Sequence, residues 1–196
     1  MILPIVAYGD SVLKKKGKEI SEDYSKLSEL LDNMFETMYN AHGVGLAAPQ
    51  IGLSIRLFIV DATPFSEDED LSDAERETLE GFKKVFVNPT MLEETGEEWA
   101  FCEGCLSIPE VREDVFRRDT IKIHYFDENF KEYTEVYSGL AARVIQHEYD
   151  HIEGILFTDK LSSLKKRLIK GKLTNISKGK INQEYRMRFP QVKKGR

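Results

Sequence analysis

The chain has 196 residues, 41% hydrophobic and 32% charged, with a formal net charge of −6. That suits one globular domain of ordinary size, and no run of about 18 apolar residues predicts a transmembrane helix. The opening "MILPIVAYGDSVLKKKGKEI" carries its lysines after a short apolar stretch rather than before it, which does not fit a secretory signal. Two cysteines, Cys102 and Cys105, are too few for a disulfide scaffold. A cytoplasmic enzyme without membrane attachment is expected. The charge is uneven. From Lys160 onward there are thirteen Lys or Arg and one acid, Glu184. Such a tail on an acidic body suggests either an anionic partner, nucleic acid first, or a solvated, frayed end.

In chain order, "YSKLSELLDNMFETMYNAHG" (24–43) places Leu27, Leu30, Leu31, Met34, Phe35 and Met38 at spacings of three and four. This predicts an amphipathic helix stopped at Gly43. "GVGLAAPQIG" (43–52) permits close backbone approach, by a substrate or a packed helix, and Gln50 offers an uncharged amide donor; a tight turn also explains it. Residues 55–61 and 84–89 predict strands. The acidic stretch between them, 62–82, reads as a surface insertion with one helical turn. "TIKIHYFDENFKEYTEVYSG" (120–139) predicts a β-hairpin turning at Asp127-Glu128-Asn129. Residues 160–180 predict a helix docked by Leu161, Leu164, Leu168 and Ile169, with basic residues on its other faces.

"SGLAARVIQHEYDHIEG" (138–154) predicts a helix capped by Ser138 and stopped by Gly154. Leu140, Val144, His147 and His151 fall on one stripe. His-Glu-x-x-His brings two imidazoles to one side, where a cation can join them, while Glu148 stays outside the ligand set and moves the proton of the attacking water. A random chain of this length shows the pattern roughly once in a hundred or less. Asp150 suits any of three roles: orienting a histidine, pairing with a basic residue such as Arg143, or capping local backbone. His42 and His124 lack a ligand partner at useful spacing.

A catalytic site needs a third ligand. Metzincin proteases place a histidine where this chain has Phe157, and no suitable acid follows, so the search moves upstream to "WAFCEGCLSIPE" (99–110). A zinc ribbon would need a second C-x-x-C pair, and Pro109 disfavours the helix of a redox motif. One thiolate completing a His₂Cys site is the remaining use. Cys102 is expected to be a plain buried thiol.

Together "GVGLAAPQ" (43–50), "EGCLS" (103–107) and "HEYDH" (147–151) resemble the motifs of the peptide deformylase family, in its order and spacing. The resemblance covers roughly residues 2–165. It implies an α+β fold of mixed, mostly antiparallel sheets around the His-Glu-x-x-His helix. A catalytic domain over 1–165 would carry the 62–82 insertion, and 166–196 would form a basic helix and tail. It implies hydrolysis of the formyl group from N-formylmethionyl nascent peptides. Cys105, His147 and His151 would hold one divalent metal ion, Fe²⁺ in the cell, with Zn²⁺, Ni²⁺ or Co²⁺ also possible. Glu148 would be the general acid/base, with Gln50 and the Leu106 N–H stabilising the oxyanion. Val44 and Gly45 would pair with the substrate backbone, and Val144 would line the methionine pocket beside Gly104. Arg112 would lie near the peptide path; a surface ion pair with Glu110 or Glu113 is the plainer alternative. A metallopeptidase and a non-catalytic RNA-binding module are the competing classes. A monomer is expected, with ribosomal RNA as a second partner through the tail.

Overall fold

The computed structural model describes residues 1–190, so the end of the expected basic tail, residues 191–196, lies outside the described residues. Strand β1 (Ile5–Val6) comes first. Helix α1 (Leu27–Asn40) buries Leu31, Met34, Thr37 and Met38, close to the stripe that the spacing predicts. It ends earlier than expected. His42, rather than Gly43, takes the left-handed φ of 55° that turns the chain, a conformation for which histidine is enriched among non-glycine residues.

Strand β2 (Gly45–Ala47), a 3₁₀ turn (Ala48–Ile51) and strand β3 (Leu57–Asp61) follow. The 62–82 stretch contains a second 3₁₀ turn (Thr63–Glu67) and helix α2 (Asp73–Leu79). Ser72 and Glu75 cap α2 reciprocally, which stabilises two turns where one was expected. The stretch is not wholly superficial, because Ala62, Leu79 and Phe82 enter the core.

Strands β4 (Lys83–Cys105), β5 (Ile108–Phe126) and β6 (Glu132–Ser138) complete a five-stranded antiparallel sheet in the order β2-β3-β4-β5-β6. β4 runs far past the expected 84–89. Straight, a strand of this length would span roughly 75 Å at about 3.3 Å per residue. Register shifts at Val87/Thr90, Met91/Glu93, Thr95/Glu98 and Gly104/Cys105 bend the ribbon instead. The 120–139 hairpin is present, turning at 127–131, but its first strand begins at Ile108.

Helix α3 (Gly139–Ile152) packs against β2, β3, β5 and β6. Ser138 occupies the cap position without making a side-chain capping bond. Gly154, at φ 74°, ends the turn beyond the helix. Helix α4 (Ser163–Ser177) runs across the boundary expected at residue 165 and buries Ile169, Leu173 and Ile176 against Leu13, Ile108, Val115 and Phe157. The docking stripe is therefore rotated from the one expected: Leu164 and Leu168 are 58% and 72% exposed. Both stripes satisfy helical spacing, and packing against the core selects the one through Ile169, Leu173 and Ile176. Beyond α4 the chain returns, and strand β7 (Met187–Arg188) pairs in parallel with β1.

Candidate active site

α3 buries far more than one stripe. Arg143, Gln146, His147, Glu148, Asp150 and His151 are all buried, and polar groups removed from water need partners. The β4–β5 ribbon supplies most of them. Glu103, on β4, receives hydrogen bonds from Arg117 Nε (2.7 Å) and Arg143 Nη1 (3.1 Å) on one oxygen, and from Arg117 Nη2 (3.0 Å) and His147 Nδ1 (2.9 Å) on the other. Burial alone would raise the Glu103 pKa; the bonds from His147 and Arg117 outweigh it and hold the carboxylate well below the usual range. Asp150 meets Arg117 Nη1 at 2.7 Å and Lys160 at 3.3 Å. Of its expected roles it thus takes the ion pair, with Arg117 rather than Arg143. The carboxylate that orients a histidine is Glu103.

With His147 Nδ1 turned to Glu103, its Nε2 is left for another partner. Among the described residues, Cys105, His147 and His151 each bring one donor atom to within 4.8 Å of the others. Cys105 Sγ and His151 Nε2 are 3.3 Å apart, against roughly 3.5 Å between sulfur and nitrogen donors around a tetrahedral ion with bonds of about 2.0–2.3 Å. One thiolate and two imidazoles suit Zn²⁺ or Fe²⁺. The donor set and its spacing fit a metal ion.

Glu148 lies beside these donors. Its Oε2 is buried without a hydrogen-bond partner, and burial pushes its pKa up to about 7. Gln50 Oε1 accepts the Ala47 N–H at 2.8 Å. That bond turns Nε2 inward, 3.5 Å from Cys105 Sγ and 3.4 Å from Ser107 Oγ. Leu106 and Ser107 form the turn between β4 and β5, closed by the Cys105–Ile108 pair.

The polypeptide deformylase family model matches residues 2–167. The chain belongs to the polypeptide deformylase family. It is 71% identical to the peptide deformylase of Christiangramia forsetii and 64% identical to that of Flavobacterium johnsoniae, in both cases over the full length of each chain. Among solved structures, a peptide deformylase from Legionella pneumophila matches with a TM-score of 0.77 at 36% identity, covering 92% of this chain and 98% of that one. One from Plasmodium falciparum matches with a TM-score of 0.77 at 30% identity, covering 89% and 95%. The combination of helices with antiparallel sheet is thus the deformylase fold. Peptide deformylases are metal-dependent hydrolases that remove the N-formyl group from nascent peptides.

A cleft of about 500 Å³ opens over the deformylase motifs. Val44, Gly45, Gln50, Gly104, Cys105, Leu106, Arg112, Val144, His147 and Glu148 all line it. His151 lies beneath, in contact with Cys105. Arg112 pairs with neither Glu110 nor Glu113; its guanidinium reaches the Cys102 carbonyl, and Glu113 pairs with Lys165. Cys102 is exposed at the rim rather than buried, because β4 there is half of a two-stranded ribbon with an open face. His42 also lines the cleft, although its spacing gave no reason to include it. Further lining residues escaped sequence reading, among them Phe65 and Phe101, whose rings meet edge-on at 6.4 Å, and Gln183 and Tyr185 of the returning tail. Phe65, Gln183 and Tyr185 lie outside the motif stretches, and Phe101 stands just before the C-x-x-C pair. Among the described residues, no helix is long and apolar enough to cross a membrane.

Proposed function

We propose that Cys105, His147 and His151 hold one divalent ion, Fe²⁺ in the cell with Zn²⁺, Ni²⁺ or Co²⁺ able to replace it, and that Glu148, Gln50 and Leu106 carry out deformylation around it. The convergence of those three donors beside the unpartnered Glu148 oxygen carries this reading. When bound, the ion supplies Lewis acidity toward water and the formyl oxygen. Glu148 accepts the proton of the attacking water and passes it to the leaving α-amine as the formyl C–N bond breaks. The Gln50 amide and the Leu106 N–H meet the charge that grows on the formyl oxygen. The products are formate and a free N-terminal methionine.

β2 is an edge strand of the sheet, which supports addition of an extended peptide along Val44 and Gly45. Val144 lines the methionine pocket, Gly104 leaves it room, and Arg112 flanks the peptide path. In this reading α3 is the metal-binding helix about which the sheets pack. Catalysis belongs to residues 1–165 with their 62–82 insertion, and 166–196 serve as a basic helix and tail. The protein acts as a cytoplasmic monomer. The test is formate release from formyl-Met-Ala-Ser, with metal content measured on the same anaerobic sample. Cleavage of an internal peptide bond instead of the formamide would overturn the reading.

The exposed basic face of α4, including Lys166, Arg167, Lys170 and Lys172, suits contact with ribosomal RNA near emerging chains. Reversing the charges of Arg167 and Lys170 should weaken ribosome co-sedimentation and its salt dependence without changing hydrolysis of a free peptide. Unchanged co-sedimentation at low salt would leave the face simply solvated.

A further inference from the structure

The turn that bears Cys105 and Leu106 is held from outside by a part of the chain beyond the residues that the family model matches. Leu106-Ser107 is a two-residue connection, fixed at its base by the Cys105–Ile108 pair. Both of its carbonyls have partners. The Tyr8 N–H donates to the Ser107 carbonyl at 2.9 Å, and the Tyr185 hydroxyl donates to the Leu106 carbonyl at 2.8 Å. These donors come from neighbouring segments. Tyr8 follows β1 and Tyr185 precedes β7, and the two strands pair in parallel, with further bonds from Ile5 N–H to Arg186 and from Ala7 N–H to Arg188. Consecutive carbonyls of one turn are thus tied to one small sheet.

We propose that Tyr185 is a positioning residue for deformylation: by holding the Leu106 carbonyl it stops the turn from rocking, and so keeps the Leu106 N–H aimed at the developing oxyanion. The proposal rests on the assignment of that N–H as an oxyanion donor. The Leu106 N–H and carbonyl belong to two peptide planes that meet at one Cα, so the bond acts on the N–H through the turn as a whole: with the base paired at Cys105–Ile108 and both carbonyls held, the two-residue turn has little room to rotate. A preorganised donor acts only if it needs no rearrangement during reaction. Ile181, Met187 and the α4 residues Ile169, Leu173 and Ile176 anchor the return segment in the core around Val6 and Leu13, so the tyrosine is presented by a packed support.

The test is Tyr185→Phe in the full chain, which removes one hydroxyl and keeps the ring. With formyl-Met-Ala-Ser under anaerobic conditions, kcat should fall about three- to tenfold, the worth of one neutral hydrogen bond. KM and bound metal should be unchanged, and the thermal midpoint should fall by no more than a few degrees. A raised KM with unchanged kcat would make Tyr185 a substrate contact and overturn the proposal. Loss of metal would place its action on Cys105, and overturn it too. If the unaltered protein is active and the variant equals it in kcat, only the role of Tyr185 falls. If the unaltered protein releases no formate, the functional reading falls first and this proposal with it.

Discussion

The Glu148 carboxylate rests against the backbone of Gly45: a methyl group built on that glycine would stand 2.5 Å from Oε1 and 2.8 Å from Cδ. Gly45→Ala must therefore displace the carboxylate or part β2 from α3. A displacement of about 1 Å in a catalytic group costs on the order of 10²-fold. Formate release should drop by that order while metal content stays near one per chain. Wild-type turnover in the alanine variant would show that Glu148 works from a different position.

Glu148→Ala separates proton transfer from coordination. The variant should retain the metal and lose about 10²–10⁴-fold in kcat. A variant that loses its metal in proportion to its activity would move Glu148 into the ligand set.

The two cysteines should behave differently. Cys105→Ser exchanges a soft thiolate for a hard hydroxyl at the donor cluster, and should weaken metal retention measured against a chelator. Cys102→Ser, at the exposed rim, should leave metal content unchanged. Were Cys102→Ser alone to strip the metal, the ligating sulfur would have to be reassigned.

Glu135, on β6, makes one part of the sheet's stability depend on pH. It accepts hydrogen bonds from Tyr125, Tyr137 and Lys84. Burial alone would raise its pKa, but those three donors outweigh it and hold the carboxyl below its ordinary value. A carboxyl depressed on folding contributes stability that is fully present above its unfolded pKa of about 4.3 and fades as pH falls toward the folded value. The difference in unfolding free energy between wild type and Glu135→Gln, from urea titrations, should be steady between about pH 7 and 5 and should shrink below about 4.5. Its side chain is 35% exposed, so the difference is modest. A gap that does not change with pH would mean that the carboxyl is not depressed.

The parts of this fold that sequence reading found are those written in local spacing. The α1 stripe, the hairpin at 127–131 and the placing of His147 with His151 each depend on residues within a turn or two of one another. The rest depends on distant partners. β4 beyond Asn88 is dominated by charged, exposed residues such as Glu93, Glu94, Glu97 and Glu98, so its strand pattern is weak until β5 pairs with it. Glu103 was overlooked as the partner of His147 because a glutamate 44 positions away becomes its neighbour only when the ribbon folds over α3. The α4 stripe shows the opposite failure, since two apolar rows fit the helical period and only packing chooses between them.

The pairing of β7 with β1 sets an order of events during synthesis. β1 is made early and must wait for β7, which is made last among the described elements. A contact between segments so distant in sequence closes a loop around nearly the whole fold, the slowest kind to form. Tyr185 travels with β7, so the segments that bear Cys105, His147 and His151 are synthesised well before the wall segment that completes the cleft. An enzyme that processes chains at their beginning thus finishes its own cleft only after the last of its described strands has been made.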